Sequence, residues 1–172
     1  MQSSISTPYS NFILKKATPN DADLVVTFIK KLAKYQNMEN VITTTPERIK
    51  NILEENLAEV IFGIYEEEIV SFVYFNQKNS AFTGRKGLYI DAFFVDDCVR
   101  GKGLGKYIFQ YLSKYSKDKG YEYLEWACFD WNKSAIKFYE NLGAKCVESL
   151  DIYRLSPENL SLNAKEFEEN QL

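Results

Sequence analysis

Arg100-Gly101-Lys102-Gly103-Leu104-Gly105 follows an apolar run and opens an amphipathic one. A glycine-rich turn of this kind, leading from a strand into a helix, aims the free N–H groups of the first helical turn into one small volume. The positive end of the helix dipole lies behind them, and together they suit a diphosphate. Side chains larger than hydrogen would hold a phosphate away from those amides, and Arg100, Lys102 or Lys106 adds charge at the rim. Two familiar phosphate motifs fail. The dinucleotide pattern would need glycine at Lys106, and the P-loop pattern would need Ser or Thr at Tyr107 and glycine at Arg100. A purely structural strand–helix turn is the other reading of the same residues.

The chain has no histidine. Ser-His-Asp and Cys-His devices and histidine-held metals are thereby excluded, so protons must move through carboxylates, Tyr, Lys, Cys or water. Asp91 interrupts the apolar run 88–95, where a carboxylate is costly to bury without a partner; it reads either as a base or as a paired structural charge. Downstream, Trp131-Asn132 leads into a short helix carrying Phe138-Tyr139 and stopping at Leu142-Gly143-Ala144. Tyr139 reads as a core aromatic or as a phenol able to protonate a leaving group. Cys98 and Cys128 are rival nucleophiles, but no histidine is present to lower their pKa, so they are expected to be inert free thiols.

The elements that must position these groups alternate between strand and helix. A strand is expected at 12–17, and Thr18-Pro19 starts a helix whose Leu24, Phe28, Leu32 and Tyr35 share a face. Thr45-Pro46 repeats the start signal. Strands at 60–65 and 69–75 flank the acidic turn Glu66-Glu67-Glu68, and 88–95 reads as a central strand covered on both faces. The helix after the glycine loop buries Leu104, Ile108, Tyr111 and Leu112 and ends at Gly120. A strand over 121–129, a helix capped by Asn132 and two last strands over 144–148 and 151–155 complete the order.

Residues 1–11 are Ser-rich and read as a flexible leader, 12–156 as one α/β domain, and 157–172 as a polar tail with one loose helical turn. No stretch resembles a signal peptide or is long enough to span a bilayer, and three scattered cysteines suit a reducing cytoplasm. A net charge of −3 argues against a nucleic-acid partner and suits cationic small molecules. No metal site and no membrane partner are expected.

Arg100 to Gly105 resembles the acyl-CoA loop of the GNAT acetyltransferases, and Asn132 with Phe138-Tyr139 and Gly143-Ala144 resembles that superfamily's second cofactor segment. Leu32-Ala33-Lys34-Tyr35, Met38-Glu39, Leu88-Tyr89, Phe93-Phe94-Val95 and Arg154-Leu155 narrow the likeness to diamine acetyltransferases of the spermidine/spermine and thialysine types. The resemblance implies a single mixed, mostly antiparallel sheet of about six to seven strands with about four helices, splayed at an acetyl-CoA cleft. It further implies that Phe93, Phe94 and Val95 align the pantetheine arm. Gly101, Lys102, Gly103, Leu104, Gly105 and Lys106 hold the diphosphate, with Arg100 beside them, and Asn132 and Ala135 line the coenzyme. Tyr139 becomes the acid for the departing thiolate, and Tyr35, Gln36, Asp91, Asp151 and Tyr153 line the amine pocket of a homodimer.

Gln36, Ala92 and Tyr153 depart from the polyamine pattern, which has Glu, Asp and Trp there. Near pH 7 only about one alkylamine in 10³ is neutral, a cost of about 4 kcal/mol. Asp91, directly or through a water chain, is expected to take the proton, and a backbone N–H near Phe94 to steady the oxyanion, with no covalent enzyme intermediate. Acetylation of a protein N-terminus or lysine, and a non-catalytic acyl-CoA sensor, are the competing readings.

Overall fold

A computed structural model describes residues 4–7, 9, 11–147 and 152–169. It divides into two compact units, residues 1–131 and 132–172, the boundary falling inside the stretch expected as one domain. The first unit holds one mixed sheet in simple sequence order. Its strands are β1 (Ser4–Ser6), β2 (Phe12–Lys16), β3 (Glu59–Tyr65), β4 (Glu68–Asn79), β5 (Lys86–Val95) and β6 (Tyr123–Trp126). The first five pair antiparallel, and β5 pairs parallel with β6. The parallel step needs a crossover, supplied by helix α3 (Leu104–Asp118). Helices α1 (Ala22–Tyr35) and α2 (Pro46–Glu54) join β2 to β3.

Local chemistry sets the helix ends. Thr18 and Asp21 form a reciprocal capping box ahead of α1, the Thr18 N–H donating to Asp21 Oδ2 at 2.8 Å. Thr45 Oγ1 accepts from the Arg48 amide at the start of α2. At the other ends, α1, α2 and α3 share one stop. A left-handed residue follows the cap (Asn37, Asn56, Gly120), and the next amide reaches back to the carbonyl of Ala33, Ile52 or Ser116. The β3–β4 hairpin turns through Glu66 and Glu67, both at positive φ, as a two-residue loop requires.

The core lies chiefly between α1, α2 and one face of the sheet. Phe28, 2% exposed, meets Phe62, Phe72 and Phe94 at ring-centroid distances of 5.9, 5.5 and 6.4 Å, with Val25, Ile49, Leu53 and Val60 around them. Leu104, Ile108, Phe109 and Leu112 are the buried apolar stripe of α3. One polar tie crosses the unit: Glu59 accepts from Lys16 Nζ and from the Tyr115 hydroxyl, each at 2.5 Å. Burial pushes the Glu59 carboxyl up, but these two donors outweigh it and hold the group below the ordinary glutamate value.

The second unit contains α4 (Lys133–Asn141) and α5 (Pro157–Glu169). Asn132 caps α4 through its side-chain oxygen, accepting from Ala135 N at 3.2 Å, and Gly143 closes it with the same left-handed stop, Ala144 N reaching Tyr139 O. The described residues give six strands and five α-helices. Residues 144–147 and 152–155, expected as strands, are not paired into the sheet. The tail, expected to hold one loose turn, carries α5 instead, because Ser156-Pro157-Glu158 is another N-cap with proline in the first turn; Ser156 Oγ accepts from Asn159 N. Part of the leader is likewise ordered: Ser4 to Ser6 pair with Lys15 to Ile13 of β2. No described helix is long and apolar enough to cross a membrane.

Phe28→Ala empties the largest shared contact of the core and should lower unfolding free energy by about 3–5 kcal/mol in urea denaturation; a loss under about 1 kcal/mol would show that the cluster is not the core's anchor. Tyr115→Phe keeps the ring but removes a donor to the Glu59 carboxylate, and should cost about 1.5 kcal/mol near pH 7. A depressed carboxyl pKa stabilises the fold above the unfolded-state value and loses that contribution as pH falls through the folded value. The gap between wild type and Tyr115→Phe should therefore narrow below about pH 4, and a gap constant with pH would refute the assignment.

Candidate functional site

The site is organised by a one-residue slip in β5. Tyr74 faces Ala92 across the β4–β5 ladder while Phe75 faces Ile90, so Asp91 is an extra residue with no partner in the register. Such a bulge bends its strand and re-aims side chains. Pairing with β6 also stops here: Gly87 to Ile90 match Tyr123 to Trp126, and β5 runs on to Val95 without β6. Phe109 of α3 sits where the strands part, its ring 5.2 Å from that of Phe93 and 5.0 Å from that of Trp126.

Asp91 is therefore exposed, not buried, and the cost of burying it falls away as an argument for its role. The strand expected to be covered on both faces has only Gly87, Leu88, Ile90 and Phe94 buried. The neighbour that the sequence did not suggest is Tyr74. Burial and, after it, the negative charge of Asp91 push its phenol above the ordinary value. Beyond the bulge the ladder fixes the direction of each amide. Asp96 N donates to Val70 O at 2.8 Å, so by alternation Phe94 and Ala92 direct their main-chain groups to β4, and Phe93 and Val95 direct theirs to the opposite edge. The amides that point to that edge are those of Phe93 and Val95, not that of Phe94.

Val95 leads through a short 3-10 turn at Asp97–Val99 into the glycine loop. Gly101 and Gly103 have φ of +78° and +82°, a conformation costly for any residue with a Cβ. Gly103 is the N-cap of α3 and supplies no side-chain cap; its carbonyl takes the first helical bond, from Tyr107 N at 3.0 Å. The amides of Gly101, Lys102, Gly103, Leu104, Gly105 and Lys106 donate to no described acceptor. A Cβ at Gly101 would meet nothing within 4 Å, so the turn is open at that residue. Six consecutive N–H groups at a helix start, without a described acceptor, are suited to anionic oxygens.

The loop's cations are largely committed elsewhere. Arg100 Nε donates to Val95 O at 2.9 Å, Nη1 pairs with Asp97 at 2.6 Å, and the guanidinium lies 4.7 Å from the Tyr35 ring and 5.7 Å from that of Phe94. Arg100 thus braces the loop against β5 and the end of α1, where the sequence suggested a rim charge. Lys102 Nζ lies 3.4 Å from the Tyr65 hydroxyl and 4.6 Å from its ring. Lys106 is exposed and pairs with no described group.

Of the residues expected to line an amine pocket, Tyr35 ends α1 and Gln36 caps it, its N–H bonded to Leu32 O and Ala33 O. The Tyr35 ring lies 6.5 Å from Trp131, which stacks on Phe129 at 5.5 Å with 16° between planes, and both of these rings are exposed. The sequence does not suggest this aromatic group, because Phe129 reads there as the end of the expected strand over 121–129 and Trp131 as the lead into the next helix. In the second unit Asn132, Ala135 and Tyr139 lie on or cap α4, all half-buried, with the Tyr139 ring 5.3 Å from Phe138. Tyr153 is almost fully exposed, and Asp151 lies outside the described residues. Cys98, Cys128 and Cys146 are free thiols, and burial pushes that of Cys128 up. No group of metal-ligating residues occurs among the described residues.

Residues 29–144, which contain the bulge, the glycine loop and α4, match the model of the acetyltransferase (GNAT) family. The chain is 27% identical to a thialysine N-epsilon-acetyltransferase of Caenorhabditis elegans, over 77% of this chain and 82% of that one. It is 31% identical to an L-ornithine N5-acetyltransferase of Arabidopsis thaliana, over 67% of this chain and 47% of that one. An integron cassette protein of V. cholerae superposes with a TM-score of 0.72 at 22% identity, covering 91% of this chain and 99% of that chain. An aminoglycoside acetyltransferase from an uncultured soil metagenomic sample also superposes with a TM-score of 0.72, at 18% identity, covering 84% and 95%; both structures share the fold. The chain belongs to the GNAT family and is an acetyl-CoA-dependent N-acetyltransferase.

Proposed function

We propose that this chain acetylates the primary amine of a small molecule, a diamine, polyamine or aminoalkyl amino acid, by direct attack in a ternary complex. The observation that carries the reading is the run of uncapped amides from Gly101 to Lys106, set directly after the β5 edge that β6 leaves at Ile90. The relatives that act on thialysine and ornithine support the choice of substrate class. When bound, acetyl-CoA supplies the activated thioester.

The residues divide the remaining work. The amides of Gly101, Lys102, Gly103, Leu104, Gly105 and Lys106 hold the diphosphate, and Arg100 keeps their loop against Val95. The β5 edge at Phe93 and Val95 receives the pantetheine arm as an added strand and offers an amide to the oxyanion. Asn132 and Ala135, at the capped start of α4, line the coenzyme. Asp91, exposed at the bulge, takes the ammonium proton directly or through water. Tyr35, Gln36, Asp151 and Tyr153 complete the amine side, to which we add the Trp131 ring, since aromatic faces attract ammonium groups. Tyr139 holds the phenolic proton for the leaving sulfur. Asn132, Ala135, Tyr139, Asp151 and Tyr153 enter on the family resemblance of their segment.

Thiol release from acetyl-CoA, followed with diamines, polyamines, lysine analogues and peptides, should be fastest with a small amine. Turnover confined to peptides would replace this reading by protein acetylation, and binding of acetyl-CoA without turnover would make the chain a sensor. Tyr139→Phe should lower kcat at least about tenfold, within the usual range for a general acid, and leave the Kd for CoA nearly unchanged; equal loss in both would make Tyr139 a binding residue only. Asp91→Asn should depress kcat/KM far more near pH 7 than near pH 10, where the amine ionises unaided. An equal loss at both pH values would remove Asp91 as the base.

A further inference from the structure

The N-terminal segment, ahead of the family match, reaches the glycine loop. Tyr9 lies in the connection between β1 and β2, and its backbone is tied down there. Its carbonyl accepts from Phe12 N and from the Thr7 hydroxyl, both at 3.1 Å, and its N–H donates to Thr7 Oγ1 at 3.2 Å. The Tyr9 ring stands edge-on to Tyr107 in the first turns of α3, with centroids 6.0 Å apart, and Phe12 stands edge-on to the same ring at 6.2 Å. This packing brings the Tyr9 hydroxyl to 2.8 Å from the position a Cβ would occupy on Gly103. Glycine at 103 suits its left-handed φ, and a Cβ there would displace the phenol beside it.

That hydroxyl has no hydrogen-bond partner among the described residues, and Tyr9 is exposed. Packing on Tyr107 explains the ring and not the oxygen, since phenylalanine would pack as well. The oxygen lies beside Gly103, the N-cap of α3 and one of the six residues whose amides lack a described acceptor. A phenol is a neutral hydrogen-bond donor, so it adds a hydrogen bond to an anionic oxygen without bringing a charge to desolvate.

Resting on the reading of Gly101 to Gly105 as the diphosphate loop, we infer that Tyr9 is a further coenzyme-binding residue: its hydroxyl donates to a diphosphate oxygen held by the first-turn amides of α3. The N-terminal hairpin is then part of the cofactor site. β1 pairs through Ser4, Ile5 and Ser6 with β2 and so fixes where Tyr9 sits. The specificity gained is for nucleotide-bearing acyl donors over bare pantetheine thioesters.

The test is calorimetric binding of CoA, dephospho-CoA and pantetheine to the full chain and to Tyr9→Phe, which keeps the ring on Tyr107. The expected result is a loss of about five- to twenty-fold for both CoA and dephospho-CoA, as for one hydrogen bond to a charged group, with pantetheine affinity and thermal midpoint unchanged. Unchanged or tighter CoA binding would overturn the proposal, the second outcome showing a tyrosine that plugs the loop. A loss confined to CoA would move the contact to the 3′-phosphate, and an equal loss with pantetheine would make the effect structural; either sinks the assignment. Gly103→Ala separates this failure from that of the loop itself. If it leaves CoA binding intact the diphosphate reading falls, and if it weakens CoA where Tyr9→Phe does not, Tyr9 alone falls.

Discussion

The extra residue in β5 is the constraint on which the rest of the structure depends. A regular ladder from Lys86 to Val95 would leave no reason for β6 to part from β5 at Ile90. With Asp91 unmatched, the strand bends, and the two strands separate where Phe109 inserts between Phe93 and Trp126. The bend lifts one carboxylate out of an otherwise apolar strand into solvent. It also turns the main-chain groups of Phe93 and Val95 to the edge that β6 has left at Ile90. Acid, edge and loop thus follow one another within a few residues of backbone.

Positive charge does little of the work at the glycine loop. Arg100 is spent on Val95, Asp97 and Tyr35, and Lys102 lies against Tyr65. What remains for an anion is the exposed Lys106 and a set of oriented amides with a helix dipole behind them, already aligned before a guest arrives. This explains how a chain of net charge −3 suits a polyanionic cofactor. The attraction is local and directional, so the overall charge stays free to favour cationic amines. The same logic accounts for the bracing. Amides at positive φ keep their direction only if the loop cannot relax, and the Arg100 contacts hold the start of the turn against β5 and the end of α1.

Much of this was legible in the residues. The glycine loop, the Thr-Pro helix starts, the acidic hairpin turn and the stops at Gly120 and Gly143 each follow from chemistry confined to a few neighbours. The bulge did not show, because an Asp within an apolar run looks the same in a regular strand as at a slip; register is decided by the partner strand. The leader misled by composition. Ser4 to Ser6 are a poor strand by propensity and are held by pairing with β2. Ser156-Pro157 carried the same start signal as Thr18-Pro19 and was passed over because the sequence beyond it is polar. Tyr9 and Tyr74 gain their meaning from neighbours far along the chain, Gly103 and Asp91, which no local pattern reveals.

Direct attack by the amine is the route that the chemistry of the chain favours. An acyl-enzyme would need a thiolate or alkoxide, and with no histidine anywhere the usual base for making one is missing. Burial raises the Cys128 thiol further from its anion, and Cys98 lies exposed in the turn before the loop without an imidazole to draw its proton. The nucleophile must then be the substrate nitrogen, which arrives protonated. A carboxylate open to solvent can pass the proton out through water, which is the task proposed for Asp91.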